Sequence, residues 1–391
     1  MHPVTKKKIM AATLSIFLLA GCSTIPIKDS ITYIQEKLYR RIPYKVDGDY
    51  RIIEVFYVTN RETKDQNGEL YFKPRMSEEV TVGTFKARID PSLKIGKMLP
   101  KRLKRRGIIG VQEVVKIDDE VFIKTLSEAV KKSPHKSLLV FVHGFKDNFE
   151  LTATKAAYFA YLLDVNTPVL LFDWPGDQSF TPWGYEKARE LAIASGPRLG
   201  SILARIIREV KPEKLWIQSS SLGCQVVCDA FEWLYQQPDF ADPEAEISHV
   251  AMSAPDVGDD EFNLHFKDEI AALAEKLTVY VSSDDTALLV VKIIDREKRL
   301  GLQDKPIKKD AQIEEASDIL YLKSLAPDKI SLVDVTFINK ASYGHGYDLE
   351  APEYYDDFYM RVFDVPPHDN RRLYLVNVRE NVDYWIMRGD H

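Results

Sequence analysis

The chain has 391 residues, of which 45% are apolar and 29% are charged, so its composition is that of an ordinary globular protein. It contains no internal repeat and no low-complexity segment, and its formal net charge of −6 argues against a nucleic-acid partner. Beyond the N-terminal residues, no stretch approaches the ~18 consecutive apolar residues of a membrane-spanning helix.

The first residues follow the order of a bacterial lipoprotein signal. The positive segment Lys6 to Lys8 precedes an apolar run, Ile9 to Ala20, which is too short for a spanning helix. The sequence Leu19-Ala20-Gly21-Cys22 follows at once and resembles a lipobox, in which a peptidase cuts before the cysteine and the cysteine receives acyl chains. We therefore predict a signal peptide at residues 1–21 and lipid attachment at Cys22.

Removing residues 1–21 takes away three lysines and no acids, so the net charge changes from −6 to −9. Several acyl chains on one residue give a stable membrane anchor, whereas a single chain binds only marginally. We expect a protein anchored in the bacterial cell envelope that faces the periplasm or the cell exterior. An anchor-proximal segment at 22–48 is predicted to lead into a single domain at 49–391.

Short apolar segments predict strands in this domain, and the longer periodic stretches between them predict helices. Apolar strands that alternate with helices indicate an α/β fold with a mostly parallel sheet covered by helices on both faces. Ligands bind at the carboxyl ends of the strands in such sheets. The predicted strands are 53–58, 80–88, 138–142, 169–172, 215–217, 250–252, 277–281 and 331–338, the last being the final clear one. The predicted helices are 117–132, 150–163, 184–210 and 222–235.

Three serines follow the strand at 215–217, and their neighbours distinguish them. A nucleophilic serine at a tight strand-to-helix turn reads G-x-S-x-G, because the crowded backbone requires small residues two before and two after it. Ser219 and Ser220 fail this requirement. Ser221 satisfies it with Ser219 behind and Gly223 ahead, so we predict Ser221 as the nucleophile, with a serine-rich helix cap as the alternative.

The segment His143-Gly144-Phe145 follows the strand at 138–142 and predicts an oxyanion hole. One backbone N–H would come from Phe145 and the other from Leu222, the residue after the nucleophile. Such donors stabilise negative charge that develops only in the transition state. We interpret His143 as a structural residue that orients this loop, because it precedes Ser221 and the expected chain order is serine, acid, histidine.

The acid is expected after a strand downstream of Ser221. The strand at 277–281 leads to Asp284 and Asp285, of which we favour Asp285, and the alternative after the preceding strand is Asp256. Asp256 follows a proline and is typical of a turn.

Four histidines lie beyond residue 260: His265, His345, His368 and His391. His345 is the best candidate for the base, because glycines flank it on both sides and it follows the last predicted strand. His265 lies within a predicted helix, and His368 lies in a proline-rich turn.

These residues together resemble the bacterial α/β-hydrolase family catalogued as domain of unknown function 900. The resemblance runs from about Val55 to His345 and includes the segments Phe56-Tyr57-Val58-Thr59-Asn60-Arg61, Val142-His143-Gly144-Phe145, Phe172-Asp173-Trp174-Pro175-Gly176, Tyr280-Val281-Ser282-Ser283 with Asp285, and Gly344-His345. It implies an α/β-hydrolase fold with Ser221, Asp285 and His345 as the triad. Two positions differ from the family pattern: Ser220 stands where histidine is usual, and Lys146 where asparagine is usual.

The sequence therefore predicts a serine hydrolase that cleaves an ester or other acyl bond of a small-molecule or lipid substrate through an acyl-enzyme. No cofactor or metal is expected, because the triad needs none and no metal-ligand spacing such as H-E-x-x-H occurs. The alternative is a non-catalytic envelope lipoprotein that uses the same scaffold for binding or assembly. Cys224 and Cys228 are interpreted as small buried residues, and Trp174 and Trp183 either as core residues or as pocket walls.

Overall fold

A computed structural model describes residues 44–95, 100–240, 245–258, 261–285, 287–288, 300, 330–379 and 382–389. The predicted signal peptide, Cys22 and most of the segment 22–48 lie outside these residues. Within the described ranges, no helix combines the length and the hydropathy that crossing a bilayer requires.

Within the described residues, twelve strands form one mixed sheet. They are β1 (Lys45–Asp47), β2 (Tyr50–Gln66), β3 (Glu69–Ile89), β4 (Ile109–Lys116), β5 (Ser137–Val142), β6 (Val169–Asp173), β7 (Lys214–Ser220), β8 (His249–Ser253), β9 (Leu277–Val281), β10 (Ile330–Asp334), β11 (Leu373–Arg379) and β12 (Val382–Met387).

The described α-helices lie mostly between these strands. They are α1 (Pro100–Arg105), α2 (Asp119–Lys132), α3 (Phe149–Leu163), α4 (Pro182–Arg205), α5 (Leu222–Tyr235), α6 (Lys267–Leu273), α7 (Tyr347–Glu350) and α8 (Pro352–Val362). Side-chain caps fix where several of them begin: Asp118 accepts the N–H of Glu120 before α2, and Asn148 accepts the N–H of Leu151 before α3.

The sheet order is β11-β12-β10-β9-β8-β7-β5-β6-β2-β3-β4. All neighbours from β12 to β2 pair in parallel, whereas β1 and β3 pair antiparallel with β2, β4 with β3, and β11 with β12. The parallel centre places the carboxyl ends of β5 to β10 at one edge, where the predicted site residues follow them.

Apolar residues cover both faces of the sheet, as the predicted architecture requires. The central strands β5, β6, β8 and β9 are buried at every position, because side chains on both of their faces meet helices. One core cluster joins one face of the sheet to α2, α4, α5 and α6, and the other joins the opposite face to α3 and α8. The predicted fold class is confirmed.

The strand prediction was wrong at the ends of the domain. The strand expected at 331–338 ends at Asp334, and β11 and β12 follow it, so it is not the last. The edge strand β4 was also missed. β4 includes partly exposed and polar positions, so it lacks the continuous apolar run that identified the central strands. β11 and β12 contain such runs at 373–376 and 384–387, which the strand assignment overlooked.

Candidate active site

Ser221 lies at the turn between β7 and α5 with φ of 54° and ψ of −132°, a backbone conformation that a serine adopts only at a cost. The turn is tight because Gly223 lies against the neighbouring strand. A Cβ at Gly223 would stand 2.5 Å from the carbonyl oxygen of His143, so a larger residue has no space there. These features are those of a nucleophile elbow.

Ser219 replaces the usual first glycine of the elbow, and its backbone does not adopt the left-handed conformation that would favour glycine. Ser219 is buried in β7, where its hydroxyl lies 3.3 Å from Sγ of Cys224 and 3.4 Å from the carbonyl oxygen of Ala251. Ser219 and Ser220 both belong to the strand. Ser221 is therefore the serine that occupies the turn, in agreement with the frame chosen from the sequence.

The loop after β5 lies directly against the elbow. A Cβ at Gly144 would stand 2.8 Å from Cβ of Ser221 and 3.0 Å from the carbonyl oxygen of Ser220. The absence of a side chain thus allows the backbone of this loop to lie beside Ser221, as the predicted oxyanion hole requires.

The described residues provide no competing acceptor for the two predicted oxyanion donors. Among the described residues, neither the N–H of Phe145 nor that of Leu222 donates to another protein group, whereas the next N–H, that of Lys146, donates to the carbonyl oxygen of Gly176 at 2.7 Å. Leu222 is the first residue of α5, so its N–H also lies at the positive end of the helix dipole. The roles of Phe145 and Leu222 stay predictions that this geometry supports.

His143 is fully enclosed beneath this loop. Its Nδ1 lies 2.8 Å from the carbonyl oxygen of Gly144, and its Nε2 lies 3.1 Å from the backbone N of Trp174 and 3.3 Å from a carboxylate oxygen of Asp173. The Trp174 indole stacks on the His143 ring and donates its N–H to the His143 carbonyl at 2.7 Å. These contacts agree with the structural role predicted for His143, and they make Trp174 a core residue.

A buried arginine, to which sequence reasoning gave no role, holds the same region together. Nε of Arg61 donates to Asp173 at 2.7 Å, one terminal nitrogen donates to Asp177, and the other donates to the carbonyl oxygen of Asp147 at 2.8 Å. Thr59 and Thr152 complete the hydrogen bonds of the Asp173 carboxylate.

The charges of this cluster compensate one another. Burial opposes ionisation of Asp173, but the Arg61 guanidinium and the hydrogen bonds from its neighbours prevail and hold the pKa of Asp173 at about 2. The cluster ties the loops after β5 and β6 to β2, and so fixes the backbone that carries Phe145.

Asp285 and His345 meet at the carboxyl edge of the sheet. Nδ1 of His345 lies 2.7 Å from Oδ2 of Asp285, whose other oxygen accepts the N–H of Leu288 at 3.0 Å. The Asp285 side chain is fully buried and that of His345 is 25% exposed. Burial alone would lower the pKa of His345. The charge of Asp285 and the hydrogen bond to it together outweigh burial, so the pKa of His345 is raised above its ordinary value of 6.5.

The loop that carries His345 is held against the loop that carries Asp285. Gly344 has φ of 67°, and a Cβ there would stand 1.9 Å from the carbonyl oxygen of Asp284, so both the conformation and the space require glycine. Asn339 donates both to the carbonyl oxygen of Gly344 at 2.6 Å and to the hydroxyl of Ser282 at 2.8 Å. Sequence reasoning missed Asn339, because nothing in its local pattern distinguishes it.

A buried tyrosine fixes the other side of the same loop. The hydroxyl of Tyr347 donates to the carbonyl oxygen of Tyr280 in β9 at 2.7 Å and accepts the N–H of Ala254 after β8 at 2.5 Å. The position of His345 is therefore set by hydrogen bonds to two neighbouring strands as well as by Asp285.

The two alternative acids, Asp284 and Asp256, lie in environments that differ from that of Asp285. Asp284 is exposed. Asp256 is buried, its carboxylate accepts the Tyr185 hydroxyl at 3.0 Å, and its N–H donates to the carbonyl oxygen of Ser221 at 3.2 Å. Its charge also contributes to raising the pKa of His345, after the larger effect of Asp285. The assignment of Asp285 as the acid stays a prediction, and the direct contact with His345 supports it.

The remaining candidates lie apart from this arrangement. His368 is exposed in a short turn, and His265 is exposed in a π-helical turn. Cys224 and Cys228 are buried free thiols, as predicted. Trp183 is 78% exposed, so the interpretation of this residue as part of the core was wrong. It lies at the first turn of α4, where none of the described elements covers it.

The mostly parallel sheet, the tight turn at Ser221 after β7 and the contact between Asp285 and His345 after β9 and β10 are those of the α/β-hydrolase class. The chain belongs to the family of α/β-hydrolases of unknown function, DUF900, whose model matches residues 118–357. The family prediction is thus confirmed, although the match begins after the N-terminal motif that includes Arg61.

Several solved structures resemble the chain at low sequence identity. An esterase of Pyrococcus furiosus, Pf2001, is 10% identical over 83% of this chain and 95% of its own, with a TM-score of 0.36. A cold-adapted esterase from an Arctic intertidal metagenomic library is 8% identical over 82% and 97%, with a TM-score of 0.36. The Legionella pneumophila phospholipase PlaB, in complex with thio-NAD, is 11% identical over 65% and 67%, with a TM-score of 0.27. None of the curated proteins compared matches this chain.

Proposed function

We propose that the protein is a serine hydrolase that cleaves an ester or other acyl bond through a covalent acyl-enzyme. The observation that carries this proposal is the contact of 2.7 Å between His345 and Asp285, at the same sheet edge as the strained elbow of Ser221. A serine, an acid and a histidine at the carboxyl ends of β7, β9 and β10 are the groups that acyl transfer requires.

Each residue has a defined role in the proposed reaction. His345 removes the proton of the Ser221 hydroxyl, which then attacks the carbonyl carbon of the substrate. Asp285 holds the imidazole in the tautomer that leaves Nε2 free to accept that proton, and it stabilises the imidazolium that forms. The N–H groups of Phe145 and Leu222 stabilise the oxyanion, and His345 returns the proton to the leaving group.

The second half of the reaction repeats these steps with water. His345 deprotonates a water molecule, which attacks the acyl-enzyme and releases the acid product while the Ser221 oxygen recovers its proton. The reaction needs only groups that the chain supplies.

Hydrolysis of p-nitrophenyl esters of increasing acyl length tests the proposal and measures the chain-length preference. We expect the wild type to hydrolyse at least one of them, with a burst of p-nitrophenol where deacylation is slow. The S221A variant should lose about 10³-fold or more of kcat/KM, whereas S220A, which changes the neighbouring strand serine, should retain most of it. Hydrolysis that S221A retains in full would overturn the proposal.

We also propose that the protein is anchored in the cell envelope through Cys22. The order of the basic, apolar and lipobox segments in the sequence supports this location. Metabolic labelling with radioactive palmitate tests it: the wild type should incorporate label, and the C22S variant should not. A wild type that stays unlabelled would contradict the anchor and would leave the catalytic proposal untouched.

A further inference from the structure

Four large aromatic side chains are strongly exposed beyond the carboxyl ends of the strands. The exposed fractions are 80% for Phe180, 78% for Trp183, 66% for Phe337 and 80% for Tyr343. Among the described residues, Val46 is the only other large apolar side chain exposed to a similar degree. Single exposed apolar residues are ordinary, but several along one edge mark an interaction surface.

These four residues, which we call the aromatic rim, flank the predicted nucleophile on both sides. Phe180 and Trp183 follow β6, whereas Phe337 and Tyr343 follow β10. The strand that leads to Ser221 lies between β6 and β10 in the sheet. Neighbouring strands are about 4.8 Å apart, so the five spacings from β6 to β10 separate the two halves of the rim by roughly 24 Å.

Basic side chains lie over two of the rim's rings. Nζ of Lys146 is 4.7 Å from the centre of the Phe180 ring. Cζ of Arg388 is 5.9 Å from the centre of the Phe337 ring and 4.7 Å from that of the half-exposed Tyr374 ring. Both basic residues are exposed. Lys146 has φ of 77°, a left-handed conformation that costs a lysine free energy. Lys146 and Arg388 thus place positive charge beside the aromatic rim, although the chain as a whole has a net negative charge.

We propose that the aromatic rim binds the surface of a phospholipid bilayer, with Lys146 and Arg388 beside the anionic headgroups. Aromatic rings prefer the interfacial layer of a membrane, and basic side chains beside them are attracted to anionic lipids. This charge complementarity favours a lipid surface as the occupant. A bilayer at this edge would face Ser221, so, resting on the proposed function, the substrate class is an acyl ester of a membrane lipid.

Fluorescence quenching tests the contact directly. The full-length S221A protein, which cannot hydrolyse lipid by the proposed mechanism, is mixed with vesicles of equal parts phosphatidylglycerol and brominated phosphatidylcholine. We expect the vesicles to quench Trp183, and the W183F variant to lose that component, because Trp183 is the most exposed of the five tryptophans: Trp174 and Trp216 are buried, and Trp233 and Trp385 are only partly exposed. Quenching of Trp183 reports contact at the rim even where another part of the chain holds the protein to the vesicle.

Variants that keep Trp183 as the reporter locate the contact. In F180S/Y343S, we expect the extent of Trp183 quenching at saturating vesicle concentration to fall severalfold, because this extent reports contact of the rim with the bilayer even where an acylated Cys22 already holds the protein to the vesicle. The matched control is Y235S, because Tyr235 is an exposed aromatic residue at the far end of α5, about 20 Å from Ser221 by the rise of the helix. This control should leave quenching unchanged.

The charge is tested in the same assay. K146S should weaken quenching by phosphatidylglycerol vesicles, whereas R208S, which removes another exposed basic residue lying over an aromatic ring, should not. Quenching of Trp183 that is absent, or that F180S/Y343S retains in full, would overturn the proposal and would favour a protein partner for the rim. Because S221A serves throughout, neither result depends on whether the protein is an enzyme.

Discussion

Nδ1 of His345 lies 2.7 Å from Oδ2 of Asp285, and this contact joins two loops that are sixty residues apart in the chain. The hydrogen bond places the proton of the neutral imidazole on Nδ1, so Nε2 carries the lone pair that a general base needs. Asn339 and Tyr347 fix the same loop through the neighbouring strands, so the orientation of His345 is set by the fold as well as by the acid.

The pH dependence of catalysis follows from the raised pKa of His345. The base works only when the imidazole is neutral, so kcat/KM should rise with pH through the pKa of this residue. The charge of Asp285 outweighs burial and raises that pKa, so the midpoint of the acid limb should lie above 6.5. A profile of kcat/KM against pH checks this, and a flat profile between pH 5 and 8 would exclude a histidine base.

The D285N variant separates Asp285 from its neighbours. Loss of the carboxylate removes the group that orients and stabilises the imidazolium, and kcat/KM should fall about 10⁴-fold. The pKa of His345 should also fall, so the acid limb that remains should move to lower pH. The control is D284N, which changes an exposed aspartate next to it and should leave most of the activity. Near-normal turnover in D285N would move the acid to Asp256 or Asp284.

The R61Q variant tests the cluster beneath the oxyanion loop. It would leave Asp173 buried without its cation, and breaking a buried ion pair in this way typically costs about 3–5 kcal/mol of folding free energy. R205Q is the control, because Arg205 forms its ion pairs with Asp119 and Glu209 at the surface, where such pairs contribute about 1 kcal/mol or less. Urea unfolding measures the free energy of unfolding of both variants. Equal losses of stability would mean that the buried cluster stabilises the fold no more than a surface ion pair does.

The space at the elbow is tested by G223A. A Cβ at this position would stand 2.5 Å from the carbonyl oxygen of His143, so the turn must shift and both activity and stability should fall. In G110A the added Cβ would meet nothing within 4 Å, so this control should retain its stability. Thermal unfolding and ester hydrolysis give the comparison, and a G223A variant with unchanged activity would show that the turn tolerates a side chain.

Much of the fold follows from local sequence patterns, because the buried central strands are continuous apolar runs. The strand predicted at 277–281 has those bounds in the structure, and the small residues around Ser221 identified its frame among three serines. The edge strand β4 escaped prediction because polar positions interrupt its apolar pattern, whereas the apolar segments of β11 and β12, 373–376 and 384–387, were overlooked.

The supporting contacts of the site were harder to predict, because they join residues that are distant in sequence. Arg61 contacts Asp173 and Asp177 more than a hundred residues away, and Asn339 contacts Ser282 across fifty-seven. The exposure of Trp183 was hard to predict for a different reason, because it depends on how the other elements pack around α4. Such relationships depend on the assembled fold, and no local pattern encodes them.

Labelling with a fluorophosphonate probe tests the central claim most directly, because the probe reacts with a serine only when its hydroxyl is activated. We predict that the wild type is labelled, that the modified peptide contains Ser221, and that S221A is unlabelled while S220A still reacts. Failure of the folded wild type to react, or equal labelling of S221A, would contradict catalysis by Ser221.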